Sequence, residues 1–399
     1  MGSFRTTCLG AATILSGLAL GVSSTGVRAD ADAIRIGMTG PLSGPSEQLG
    51  RGVRAGIEAY FGLVNERGGV HGKKLALVAL DDAYEPGKTG PNMRKLIDEE
   101  RVFAVLGNPG TPTAAVAVPI AIEKHVPLFG AFTGAALLRK TPPDRYVVNF
   151  RASYGQETAE IVRGLIDELG IAPEEIAFFT QNDAYGDAGH KGAVAALKAR
   201  GFAAADRLPH GRYPRNTVDV EAGLSRILDP AVHPRAVVMV GAYKPCAKFI
   251  KLAKQHGLKA LFVNVSFVLG DQLRRELGNH AEDVVVTQVV PAYDSDLPVV
   301  REYRERVKGD DVGFVSLEGF IAAKAFVAAL AQAGPGASAE GVIDALERGA
   351  PIDLGLEAPA RLSKERHQLS DRVWPTVIHR GRFASLASWT ELKSAVSSK

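Results

Sequence analysis

The chain has 399 residues, 46% hydrophobic and 23% charged, and its 47 basic and 44 acidic side chains leave a formal net charge of +3. A composition this close to the globular average excludes wholesale disorder, collagen-like and coiled-coil architectures, and so even a balance gives no ground for a nucleic-acid partner. At roughly 150 residues per domain, the length predicts two or three folding units.

The first element reads as an export leader. Arg5 is the only charge before Arg28, and Leu9 to Val22 between them is almost wholly apolar or small. A run of about 14 such residues fits the apolar region of a secretory signal and falls short of the roughly 20 that a membrane-spanning helix needs. Val27-Arg28-Ala29 offers one cleavage site and Ala31-Asp32-Ala33 a second. Residues 1–29 are therefore expected to be a signal peptide, and the mature protein to work in the periplasm. No later stretch reads as long and apolar enough to cross a bilayer. Cys8 lies in the leader, so Cys246 is left as the thiol of the mature chain. On an apolar helix face it reads as a small buried hydrophobe.

Strands and helices then alternate. Ile34–Thr39, Leu75–Leu80, Val102–Leu106 and Pro127–Phe129 read as strands, separated by helices at Leu49–Arg67, Pro91–Glu100 and Thr113–Lys124. Val53, Ile57, Tyr60, Phe61 and Val64 give the first helix its spacing of three and four. A second series follows, with helices at Tyr154–Leu169, Ala188–Arg200, Val220–Leu228 and Lys244–His256 and strands at Ile176–Thr180, Ala236–Val240, Leu261–Val265 and Val284–Gln288. An alanine-rich helix at Leu317–Ala333, a helix at Ser338–Arg348 with Ser338 as its cap and a strand at Val373–Ile378 complete the chain. Such alternation predicts an α/β protein of βαβ units with mostly parallel sheets, in two similar lobes.

The chain lacks G-x-S-x-G, G-x-x-x-x-G-K-[ST], H-E-x-x-H and C-x-x-C, and its nine histidines are scattered without metal-site spacing. That favours a binder over an enzyme, with no cofactor or metal expected. In open parallel sheets, ligands sit beyond the carboxyl ends of the strands. Three loops stand there in the first series: Gly40 to Ser46, Gly107 to Thr113 with Asn108 and Thr111, and Gly130 to Gly134 with Phe132 and Thr133. Their glycines admit close approach, and hydroxyls beside a helix start can hold a carboxylate. Thr111 and Thr113 serve equally well as helix caps. In the second series Tyr185, Tyr243 and Ser266 follow strands, and a tyrosine there can cover an apolar ligand or pack between lobe and helix. Lys244, Lys248, Lys251, Lys254 and Lys259 form a basic run around one helix, read as a solvated face.

These residues carry a resemblance. I-R-I-G-M-T-G-P-L-S-G at 34–44, N-E-R-G-G-V-H-G-K-K-L at 65–75, D-D at 81–82, L-G-N-P-G-T at 106–111, N-D-A-Y-G at 182–186 and V-G-A-Y at 240–243 occur in this order. The chain resembles the type I periplasmic solute-binding proteins, in the branch of the leucine/isoleucine/valine-binding receptors of ABC transporters. The resemblance implies two Rossmann-like lobes joined by a three-segment hinge, with crossings near Phe150-Arg151, in Gln288 to Pro291 and within Asp353 to Asp371. Lobe 1 is then 30–150 plus about 291–365, and lobe 2 is 151–290 plus about 366–399.

It further implies a small-molecule solute held in the cleft by hinge closure, docking on the permease subunits of an ABC importer, and a monomeric mature protein. Thr111 and the loop 131–134, with Phe132, Thr133 and Gly134, correspond to the family's amino-acid site, and Tyr185 and Tyr243 to its aromatic walls. Two departures matter: Leu49 stands where amino-acid receptors carry an aromatic, and Ser266 stands near their ammonium-pairing acid. These departures make a small organic acid, including an aromatic one, or an amide as eligible as an amino acid. A secreted ligand-sensing subunit of a membrane signalling system, with the same fold, is the alternative.

Overall fold

The computed structural model describes residues 1–3 and 33–397. The expected signal peptide falls almost wholly outside the described residues, as does Cys8.

The first series supplies β1 (Ile34–Gly40), α1 (Glu47–Glu66), β2 (Leu75–Asp81), α2 (Pro86–Arg94), β3 (Ala104–Leu106), α3 (Thr111–Glu123), β4 (Leu128–Phe129) and β5 (Val147–Val148). The five strands form a parallel sheet in the order β2-β1-β3-β4-β5. The second series supplies α4 (Tyr154–Arg163), β6 (Ile176–Gln181), α5 (Ala184–Ala199), β7 (His210–Tyr213), α6 (Glu221–Ile227), β8 (Ala236–Val240), α7 (Tyr243–Gln255), β9 (Leu261–Asn264), α8 (Gly270–Leu277) and β10 (Val285–Gln288). After α9 (Pro298–Arg306), α10 (Phe314–Ala333) and α11 (Ala339–Glu347) come β11 (Trp374–His379), β12 (Arg382–Ser385) and α12 (Lys393–Ser397). The last two strands add antiparallel to β10, giving a seven-stranded sheet in the order β12-β11-β10-β9-β8-β6-β7. The architecture is thus α/β with mostly parallel sheets in two layered units.

Strands β6 and β8 are buried at every residue, as expected of central parallel strands covered by helices on both faces. On α1, Leu49, Val53, Ile57, Tyr60 and Phe61 point inward and pack along α10. Close approach there depends on glycine: a Cβ on Gly56 would lie 1.9 Å from the Ser316 carbonyl oxygen, and one on Gly319 would lie 2.4 Å from that of Val53. Contacts of α10 with α1 and α11 join this later segment to the first sheet's layer. The segments 149–150 and 367–370 run side by side between the units, tied by Asn149 N–H to the His367 carbonyl and by Ser370 N–H to the Phe150 carbonyl.

Several elements differ from the sequence expectation. Helix α2 starts at Pro86 rather than Pro91, because Pro86 takes the favoured first position, and a π-helical turn, Lys95–Glu99, continues it. Strand β12 pairs with β11 through the two-residue turn Arg380-Gly381, both at positive φ, a hairpin geometry whose signal is that glycine. β5, β7, α8 and α9 were not anticipated; they are short or polar, and tertiary packing decides them. Helix α10 is in fact long and apolar enough to cross a membrane, by length and composition, but most of it is buried inside the protein.

Candidate functional site

The carboxyl ends of β1, β3 and β4 and of β6, β8 and β9 carry loops that face one another. The Thr111 and Thr133 hydroxyls are hydrogen-bonded at 2.7 Å. Thr133 also donates to the Tyr154 hydroxyl at 3.3 Å. The two loops are laced by Phe132 N–H to the Asn108 carbonyl and Gly110 N–H to the Phe132 carbonyl. Asn108 itself turns to the sheet, its Nδ2 donating to the Thr39 carbonyl.

Five buried rings meet between the loops. Tyr185 lies 4.5 Å from Phe267 and 5.3 Å from Tyr154, while Phe132 and Tyr84 lie 5.7 and 6.2 Å from Phe267. Tyr84 and Phe132 come from the first unit, and Tyr185 and Phe267 from the second. One device aims both tyrosines: in Asp82-Ala83-Tyr84 and in Asp183-Ala184-Tyr185 the aspartate accepts the tyrosine N–H at 2.9 Å. Tyr84 is held at φ +63°, a strained region for a bulky residue. Gly110, at φ +105°, makes room for it, since a Cβ there would lie 2.2 Å from the ring. A Cβ on Gly134 would lie 2.6 Å from the Tyr154 nitrogen. Burial holds the Tyr84 and Tyr185 hydroxyls well above the usual phenol range, hence neutral.

A charged cluster adjoins the rings. Arg151 is fully buried, its guanidinium 4.5 Å from the Phe132 ring centroid. It donates to the Ser266 hydroxyl and pairs with Glu318 of α10 at 3.3 Å. Burial works against its charge, but Glu318 and Glu157 hold it above the ordinary arginine value. Glu157 of α4 accepts from Ser266 N–H at 2.8 Å, from the Ser266 hydroxyl at 3.0 Å and from Thr287 at 2.6 Å. Burial raises the Glu157 carboxyl, opposed by Arg151, and lifts that of Glu318 to about 7. Arg139 binds the carbonyls of Thr133, Ala135 and Arg151.

Polar contacts also bridge the two sets of loops. Tyr243 donates to the Pro45 carbonyl at 2.9 Å, Arg215 pairs with Glu85 at 2.8 Å, and Asn216 donates to the Ala83 carbonyl and to Glu85.

Of the residues singled out in the sequence, Thr111, Phe132, Thr133, Gly134 and Tyr185 lie in or against the ring cluster. Tyr243 and Ser266 flank it. Leu49 is buried in the general apolar core. Tyr84, Arg151, Tyr154, Glu157, Phe267 and Glu318 were missed. The D-A-Y triplet at 82–84 repeats that at 183–185 and was a readable signal for Tyr84. Cys246 is fully buried, and burial pushes its thiol far above the usual range, which suits packing rather than nucleophilic chemistry. Among the described residues no group of three or more His, Cys, Asp or Glu could hold a metal ion. A cavity of about 520 Å³ among Arg274, Tyr293, Phe314 and Phe383 is lined by none of the five rings. The arrangement suits holding a small molecule between apolar faces, with hydroxyls and a guanidinium at the edge.

Comparison with known proteins bears on the family and the fold. A family model described as "periplasmic binding protein" matches residues 33–382. A solved structure titled as a possible leucine/isoleucine/valine-binding protein from Rhodopirellula baltica SH 1 is 46% identical, with a TM-score of 0.86, covering 91% of this chain and 98% of that one. Leu/Ile/Val-binding protein homolog 7 of Brucella abortus is 28% identical over 237 residues, which span 54% of this chain and 57% of that relative's length. An amino acid binding protein of Pseudomonas aeruginosa is 23% identical over 342 residues, 83% of this chain and 86% of its own length.

Proposed function

The chain belongs to the periplasmic binding protein family, in its leucine/isoleucine/valine-binding branch, and we propose that it is the solute receptor of an ABC importer, exported to the periplasm. The solute is an amino acid, a small organic acid or an amide, enclosed between the two units when they close at the hinge.

One observation carries this reading: buried rings from both units converge beside paired threonine hydroxyls. Such a site gains its contacts only when the units meet, so solute shifts the balance toward closure by its differential affinity for that state. The closed surface is then what the permease reads. Thr111, Phe132, Thr133, Gly134 and Tyr185 form the solute's surroundings in this reading, and Tyr243 secures closure.

A thermal-shift screen of the mature protein against amino acids, aromatic acids and amides tests it. A ligand at 100 times its dissociation constant adds about 2.7 kcal/mol, so at least one class must raise the melting temperature. No shift with any class contradicts the proposal.

A further inference from the structure

Arg151 lies in the segment between β5 and α4 with no exposed surface. Its Nη2 donates to Ser266, its Nε faces Glu318 at 3.3 Å, and its plane covers Phe132. Among the described residues its Nη1 has no hydrogen-bond partner, and its Nε has none beyond that ion pair. A buried donor on a charged group that stays unpaired is costly, and a carboxylate is the acceptor that an arginine edge fits best.

The surrounding groups define which head group suits the place. Glu157 spends its oxygens on Ser266 and Thr287, and Glu318 has Arg151 as its ion-pair partner. Arg139 faces the cluster from the loop after β4, its guanidinium on three carbonyls. With both arginines charged and Glu157 ionised, the cluster is neutral while Glu318 is ionised and carries one positive charge once Glu318 is protonated, which an arriving anion would cancel. Ser266, after β9, offers a ligand ammonium no charge, and the five rings offer the rest of a ligand flat apolar faces.

Building on the cleft reading above, we propose that Arg151 anchors the carboxylate of a ring-bearing monocarboxylate, and that the site requires no ligand ammonium group.

Four compounds that share one phenyl chain and differ in head group test this by calorimetry: 3-phenylpropionate, 3-phenylpropanamide, phenylalanine and 3-phenylpropylamine. The acid is expected to bind at least about ten-fold more tightly than the amide or the amine, the scale of a charge-assisted bond, with phenylalanine no tighter than the acid. Titration at pH 8 in two buffers of different ionisation enthalpy should show about one proton taken up per acid bound, because an anion on Arg151 favours protonation of Glu318. Glu318→Gln should abolish that uptake and still bind the acid, and Arg151→Gln should lose at least about ten-fold in acid affinity. Tighter binding of phenylalanine or the amine, or proton release on binding, would overturn the inference. So would binding of leucine or valine with none of the four compounds, which leaves the receptor reading standing. Only failure of every solute class defeats both.

Discussion

The Tyr243 hydroxyl donates to the Pro45 carbonyl over 2.9 Å, joining the start of α7 to the loop after β1. In the proposed opening of the cleft these atoms separate. Tyr243→Phe keeps the ring and deletes the bond, whose net worth is about 1 kcal/mol. Solute affinity is therefore expected to fall by about five-fold, with the loss in the dissociation rate. Unchanged affinity by calorimetry would mean that the bond does not contribute to closure.

Two glycines with opposite surroundings give opposite expectations. Gly110→Ala forces a Cβ onto the Tyr84 ring at φ +105° and should cost roughly 1–3 kcal/mol, along with solute binding. Gly62, exposed within α1, has no packing neighbour within 4 Å of an added Cβ among the described residues. Gly62→Ala should stabilise by roughly 0.5–1 kcal/mol. Denaturant melts of the two variants check the pair.

His210 stacks on His190 with ring centroids 4.1 Å apart and hydrogen-bonds Thr180 through Nε2 at 2.8 Å. Burial, then His190, lowers its pKa from 6.5 to about 3. A histidine depressed in the folded state contributes stability that is present above pH 6.5 and is lost as the pH falls toward about 3. Melting temperature should therefore decline through this window, and His210→Gln should flatten the decline. An equal slope in the variant would assign the acid sensitivity to other groups.

Asp183 caps α5 by accepting Tyr185 N–H at 2.9 Å. Asp183→Ala should cost about 0.5–2 kcal/mol and weaken solute binding beyond that of a cap on a remote helix, because the same bond aims the Tyr185 ring. Ser338→Ala, which removes the cap of α11, is the matched control and should leave affinity unchanged.

Much of this was legible in the chain. Strand–helix alternation gave the two mostly parallel sheets, since buried parallel strands are written as apolar runs such as Ala236–Val240. Loops at the strand ends gave Thr111, Thr133 and Tyr185, which share one cluster. The charged groups were hidden, because Arg151, Glu157 and Glu318 come from the β5–α4 connection and two helices and meet only in the fold. Ser266, read as a missing charge, is hydrogen-bonded to both Arg151 and Glu157, partners the chain order does not show. The β11–β12 hairpin was missed because Arg380 is an unusual residue for a turn that needs positive φ at both positions.

In the proposed function solute draws the two units together, and a distance across the cleft measures this directly. Spin labels at Arg51 of α1 and Lys244 of α7, in a Cys246→Ala background, report on the first and second unit respectively. With the solute identified by thermal shift, a broad distance distribution, including a longer population without solute, is expected to collapse to one short distance at saturation. A distribution that stays the same at saturating solute would contradict it.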